Sequence, residues 1–173
     1  TSRIWPLAYS DSYTRSKIAA ALIDAIWRKG SFRLEDICLD LKWKWNEEPV
    51  GAMAAFYESA RSAADYADAL GIWFNSYSYG KTSGGNSLDV SADCPETEAV
   101  RALPSNVIAD DDSWLVYIPF DSSKFRLGAS LLAQSIGLVG ASPSFEDVAC
   151  FVDCYEVVRE FVEDGLLLSA VTV

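Results

Sequence analysis

The sequence predicts an α/β (α+β) fold, with helices packed on a mixed sheet. Apolar residues recur at helical spacing in three long stretches, runs of strand character separate them, and glycine or proline stands at most of the junctions. With 173 residues, half of them apolar, the chain can bury one compact core or two small subdomains sharing one.

The first helix is expected over about 14–29, where Ile18, Leu22, Ala25 and Ile26 share a face and Gly30 supplies a stop. The stretch 32–41 is mixed and leads into a strand carrying Trp43 and Trp45. Pro49 suits the first turn of a second helix, which runs to about Leu70 and ends at Gly71. That helix is rich in alanine, so it can lie close on a neighbouring layer, with Val50, Met53, Tyr57 and Leu70 as its larger knobs. Residues 72–79 alternate and read as a strand, and glycines, Asp93 and Pro95 mark the stretch 80–104 as loop.

After the break at Asp110, Asp111 and Asp112, residues 114–120 form a near-continuous apolar run, the pattern of a strand buried on both faces. A short helix around 129–136 and a turn at 140–144 follow. Over 145–164, Val148, Val152, Tyr155, Val158 and Val162 line one side of a helix, acids occupy the others, and Gly165 ends it. Residues 166–173 read as a last strand.

Composition excludes several classes of function. The chain has no histidine, which removes the commonest general base, His-paired nucleophiles and His-ligated metals. A net charge of −11 argues against a nucleic-acid partner. The first 48 residues are nearly neutral, so the acidic excess falls almost entirely after Glu48. No apolar run reaches the roughly 18–20 residues that span a bilayer, so no transmembrane segment is expected. Six tryptophans argue against disorder. Cys38, Cys94, Cys150 and Cys154 form no Cys-x-x-Cys pair and are expected as buried free thiols, consistent with an intracellular, reducing compartment, cytosol or organelle. The chain opens at Thr1 rather than Met, which leaves a removed presequence open, and no signal peptide is legible.

Candidate chemistry is sparse. Gly80, Lys81 and Thr82 suggest a phosphate loop, but Asn75 stands where a P-loop needs its first glycine and no helix start follows, so a plain loop is the default. Trp43 and Trp45 could clamp a ring by stacking, although tryptophans at alternate strand positions more often cover a core edge or an interface. Glu47–Glu48 and the Asp110–Asp112 run read as hydrated acids rather than a metal site. The residues alone disclose no catalytic centre.

Taken in order, several segments resemble the second synthetase half of large-type phosphoribosylformylglycinamidine synthase, an ATP-dependent amidoligase of purine synthesis with an aminoimidazole ribonucleotide synthase-like fold. They are Leu34-Glu-Asp-Ile37, Trp43-Lys-Trp45, the alanine-rich helix ending in Leu70-Gly71, Gly80-Lys81-Thr82-Ser83 and Pro104–Ile108. Arg126–Ser130 with Leu132-Ala133-Gln134, and Asp164–Ser169 after the long helix, complete the set, which runs from Tyr13 to Ser169. The departures are equally specific. Lys42 stands where the family has Asn and Thr82 where it has Asp, and the chain reaches Val173 where the family's His-Asp-x-Ser-Asp-Gly-Gly motif is expected.

The resemblance implies a partial synthase fold, with residues 1–109 as a remnant of the N-terminal-type subdomain and 113–173 as the start of the C-terminal-type one, the two able to pack as one unit. It implies a non-catalytic, enzyme-derived accessory subunit without cofactor or metal, bound to other protein subunits, with Trp5, Trp43 and Trp45 as the partner-facing candidates. The alternatives are a piece of a split amidoligase, or a small adenine-nucleotide module. In the latter, Gly80, Lys81, Thr82 and Ser83 would hold ATP or ADP with Mg, with Trp43 or Trp45 near the base.

Overall fold

The computed structural model describes residues 7–30, 32–94, 102–122, 126–128, 130–138 and 140–172. After a 3-10 turn at Leu7–Tyr9 the elements are α1 (Ser10–Lys29), a second 3-10 turn at Leu34–Asp36, β1 (Cys38–Trp45), α2 (Ala52–Leu70), β2 (Trp73–Lys81), β3 (Ser87–Asp93), α3 (Leu131–Ser135) and α4 (Val148–Glu163). The strands form one mixed sheet in the order β2-β1-β3, with β2 parallel and β3 antiparallel to β1. The α/β expectation holds.

The sheet follows from alternation. Leu39, Leu41, Trp43 and Trp45 of β1 all point to the helix side and are buried, while Lys42 and Lys44 face outward and are exposed. The register sets Leu88, Val90 and Ala92 of β3 opposite Trp43, Leu41 and Leu39, so β3 lines the same apolar face. The stretch expected as loop from 80 to 104 therefore contains a strand. Its turn residues dominate the composition, but Leu88, Val90 and Ala92 supply the period of two; residues 95–101 lie outside the described residues.

Helices α1 and α2 lie side by side over this face, with α1 also packed on β3. Ile18, Ala19, Leu22 and Ile26 of α1 are fully buried, so the predicted face is the core face. On α2 the buried stripe consists of small residues, Ala52, Ala55, Ser59, Ala63 and Ala67, with Tyr66 and Leu70. Close approach is what such residues permit. The knobs Val50, Met53 and Tyr57 point away from the core and are exposed. Gly71 closes α2 at φ 70°, a left-handed conformation that glycine adopts without strain, and its N–H caps the last turn.

Phe120, Phe151, Tyr155, Val158 and Val162 join the buried cluster built by α1, α2 and the sheet, so residues on both sides of the expected boundary near 110 share a core. On α4, Phe151 replaces Val148 and Val152 as a principal buried contact; those two valines are only half-buried.

Three further expectations fail. Residues 114–118 form no strand, and Trp114, Leu115, Val116 and Tyr117 are 91%, 94%, 69% and 77% exposed, because no neighbouring strand or covering layer meets them among the described residues. Residues 166–172 also form no strand; the Ala170 N–H donates to the Pro104 carbonyl at 3.1 Å, and Thr172 ties the tail to α1, with Trp27 Nε1 donating to Thr172 Oγ1 at 3.2 Å and Thr172 Oγ1 to Asp24 Oδ1 at 2.6 Å. The four thiols are free but half-buried, since they sit at the ends of the sheet and on the flank of α4.

Candidate functional site

The corner at the end of β2 is built by strand pairing. Gly80 and Lys81 finish β2 opposite Lys44 and Trp45, and the Thr82 N–H donates to the Trp45 carbonyl at 2.9 Å. Thr82 Oγ1 then accepts from the Gly84 N–H at 3.1 Å, which closes the turn. Lys81 Nζ donates to Glu47 Oε2 at 2.8 Å, and Tyr79 Oη donates to the other oxygen of the same carboxylate. The hydrogen bond from Lys81, then that from Tyr79, hold the Glu47 carboxyl below its usual range. Accepting from it, Glu47 keeps the Tyr79 phenol protonated to higher pH than usual. The cation available for phosphate is thus already paired, although the pair is exposed and a competing anion can reach it.

The backbone of Trp45 is part of this corner, but the indoles of the two tryptophans assigned to it are buried. Trp43 and Trp45 are 6% and 0% exposed. Trp43 Nε1 donates to Ser59 Oγ at 3.0 Å and Trp45 Nε1 to the Ala52 carbonyl at 2.8 Å, so both indoles tie β1 to α2. Phe56 packs edge-on against both. They are core residues, neither partner-facing nor open for stacking on a base, because alternation turns them to the helix side. Trp5 lies outside the described residues.

Among the described residues, the indoles that face outward are Trp73, at the start of edge strand β2, and Trp114. Tyr77 on β2 is also 79% exposed. The serines at 76 and 78 carry a weak signal of an edge strand, but nothing in the run 114–120 distinguishes an open segment from a buried one.

A second polar cluster escapes sequence reasoning. Arg15, mostly buried on α1, donates to Ser62 Oγ at 3.1 Å, to Asp11 Oδ2 at 3.2 Å and to the Ser144 carbonyl. Arg126 Nη1 reaches Ser144 Oγ at 3.1 Å. Nearby, the Gly128 N–H donates to the Ala141 carbonyl at 2.8 Å, and a Cβ at Gly128 would stand 2.0 Å from the Gly140 oxygen. Glycine is therefore required there by the approach of two backbones. Arg15 acts as a clasp fastening the 126–144 segment to the helix pair, and its hydrogen-bonding capacity is largely occupied.

Among the described residues no group of three or more His, Cys, Asp or Glu side chains converges as a metal site, and no helix is long and apolar enough to cross a membrane. Apolar surface is left exposed on the open side of β2 and in the segment from Trp114 to Tyr117.

No family model matches the chain. Among curated proteins it is similar to the probable phosphoribosylformylglycinamidine synthase, chloroplastic/mitochondrial, of Arabidopsis thaliana, with 25% identity over 167 residues. The match covers 88% of this chain and 12% of that protein, so the chain spans a small part of its relative's length.

Proposed function

We propose that the chain is a structural component of a larger protein assembly, built on a piece of synthase-like architecture and contributing no catalytic step of its own. One observation carries this reading: four consecutive large side chains, Trp114 to Tyr117, stand in water at 69% exposure or more. Contiguous apolar patches of this kind mark protein contacts. Two further features support it. The similarity to the plant synthase extends over 88% of the chain and is not confined to one motif. At the corner where the resemblance would seat phosphates, Lys81 is engaged by Glu47, and Thr82 replaces the family's Asp.

Native fractionation of the endogenous chain tests the reading. The expected result is migration in a complex several times the 19.0 kDa of the chain. Migration as a free monomer would end it.

The similarity to the synthase also favours a second reading, in which the chain is one piece of a divided amidoligase completed by other polypeptides. The purified assembly would then consume ATP in the presence of formylglycinamide ribonucleotide and an ammonia source. Absence of that turnover leaves the structural role.

A further inference from the structure

Residues 114–118 have extended, strand-grade composition, yet among the described residues their backbone makes no hydrogen bond. The segment is nevertheless held at both ends. Before it, Asp110 anchors a turn, accepting from the Asp112 N–H at 3.0 Å on its side chain and from the Ser113 N–H at 3.2 Å on its carbonyl. At its end, Ile118 packs partly on the core, and just beyond it buried Phe120 stacks at a tilt on Phe151, ring centroids 5.8 Å apart. Cys154 Sγ donates to the Pro119 carbonyl at 3.7 Å, which seats the end of the segment on α4. One and two turns further along that side of α4, Val157 and Phe161 are 49% and 40% exposed. A helix with a buried face and a second apolar flank beside an unpaired strand-like segment is arranged for another layer.

We propose that Trp114–Ile118 is a docking strand that adds to the open sheet edge of a different protein, one with basic side chains bordering that edge. The proposal rests on the assembly reading above and names its contact. Charge decides between occupants. The exposed Asp110, Asp111 and Asp112 stand at the entrance to the segment. A second copy would bring the same acids and another net charge of −11. Antiparallel self-pairing about Val116 would also set Asp111 against Asp121, and parallel pairing would set each aspartate beside its twin; like charges directly opposed are destabilising. A basic border answers the acids, main-chain bonds supply the affinity, and the alternating side chains find pockets.

Two measurements on the full chain in its native assembly test this. The first is incorporation of Val116→Pro. Val116 is exposed and its N–H is unpaired, so thermal unfolding of the variant should match the parent. Incorporation should fall about tenfold or more, because proline deletes a ladder donor and blocks the adjacent strand. The second places a photo-crosslinking benzoylphenylalanine at Leu115. The expected adduct is on an edge strand of another protein, within a few residues of Lys or Arg. Adducts on a second copy or on a helix, no adduct at all, or unimpaired incorporation of Val116→Pro would overturn the docking strand while leaving the assembly intact. A parent chain found only as a free monomer would remove the assembly reading itself.

Discussion

Residues 7–94 and residues 102–172 obey the same local rules to different effect. In the first region the apolar faces of α1, β1 and β3 meet: β1 is paired on both sides, α1 and α2 cover the helix side of the sheet, and the polar atoms of Trp43, Trp45 and Thr14 are all bonded, while the edge strand β2 keeps Trp73 and Tyr77 exposed. In the second, α4 and Phe120 join that core, but two strand-grade segments, 114–118 and 166–172, find no sheet. Strand propensity is a statement about a partner as much as about a residue, and the second region shows what a strand sequence does when the partner is elsewhere.

The contrast can be broken most directly by paired tryptophan truncations. Trp45→Ala should cost about 3–5 kcal/mol in chemical denaturation, as expected for a fully buried aromatic. Trp114→Ala, at 91% exposure, should stay within about 0.5 kcal/mol. Equal costs would mean that the two regions are equally packed. Gly128→Ala comes next. The new methyl would meet the Gly140 and Ala141 backbone, and a loss of about 1–3 kcal/mol with earlier proteolysis in 126–144 is expected.

Ser59→Ala tests the dry side of the comparison. Ser59 is fully buried and accepts from Trp43, and because the Thr14 hydroxyl donates to the Ser10 carbonyl, Ser59 donates to Thr14 Oγ1 at 2.6 Å; its loss strands the Trp43 donor at about 1–3 kcal/mol. An alkaline titration sharpens the same point. Burial first, then nearby Cys94 and Glu156, hold the Tyr155 phenol well above its usual value; it donates to the Phe32 carbonyl at 3.1 Å. Because the folded value is raised, its contribution is complete below the ordinary tyrosine range and drains away above about pH 10. Unfolding followed against pH should show that loss, and Tyr155→Phe should reduce it without abolishing it, because burial raises the Tyr66 phenol in the same direction. The smallest effect is expected at the exposed corner: Lys81→Ala should leave unfolding unchanged, and millimolar ADP should leave tryptophan fluorescence flat. A saturable response to ADP, lost in Lys81→Ala, would restore the nucleotide module.

Much of the first region is legible from spacing alone. The face Ile18–Leu22–Ile26 follows from periodicity, the stops at Gly30 and Gly71 from glycine's place after each helix, and a strand carrying Trp43 and Trp45 from local composition. β3 was readable in Leu88, Val90 and Ala92 but is masked by surrounding turn residues. The candidate site is far less legible. Trp43 and Trp45 look identical to exposed stacking residues until the side of the sheet is known, and Arg15 and Ser144 meet only because the chain returns across well over a hundred residues.

Sequence alone therefore determined the class, the helices, the central strand and the acidic, histidine-free character that narrows the chemistry, because these depend on composition and on neighbours within one or two turns. Tertiary structure decided which tryptophans are core, that Lys81 answers to Glu47, and that the apolar run after Asp112 stays open. Burial and pairing depend on what lies opposite, and what lies opposite is set by contacts between residues far apart in the chain.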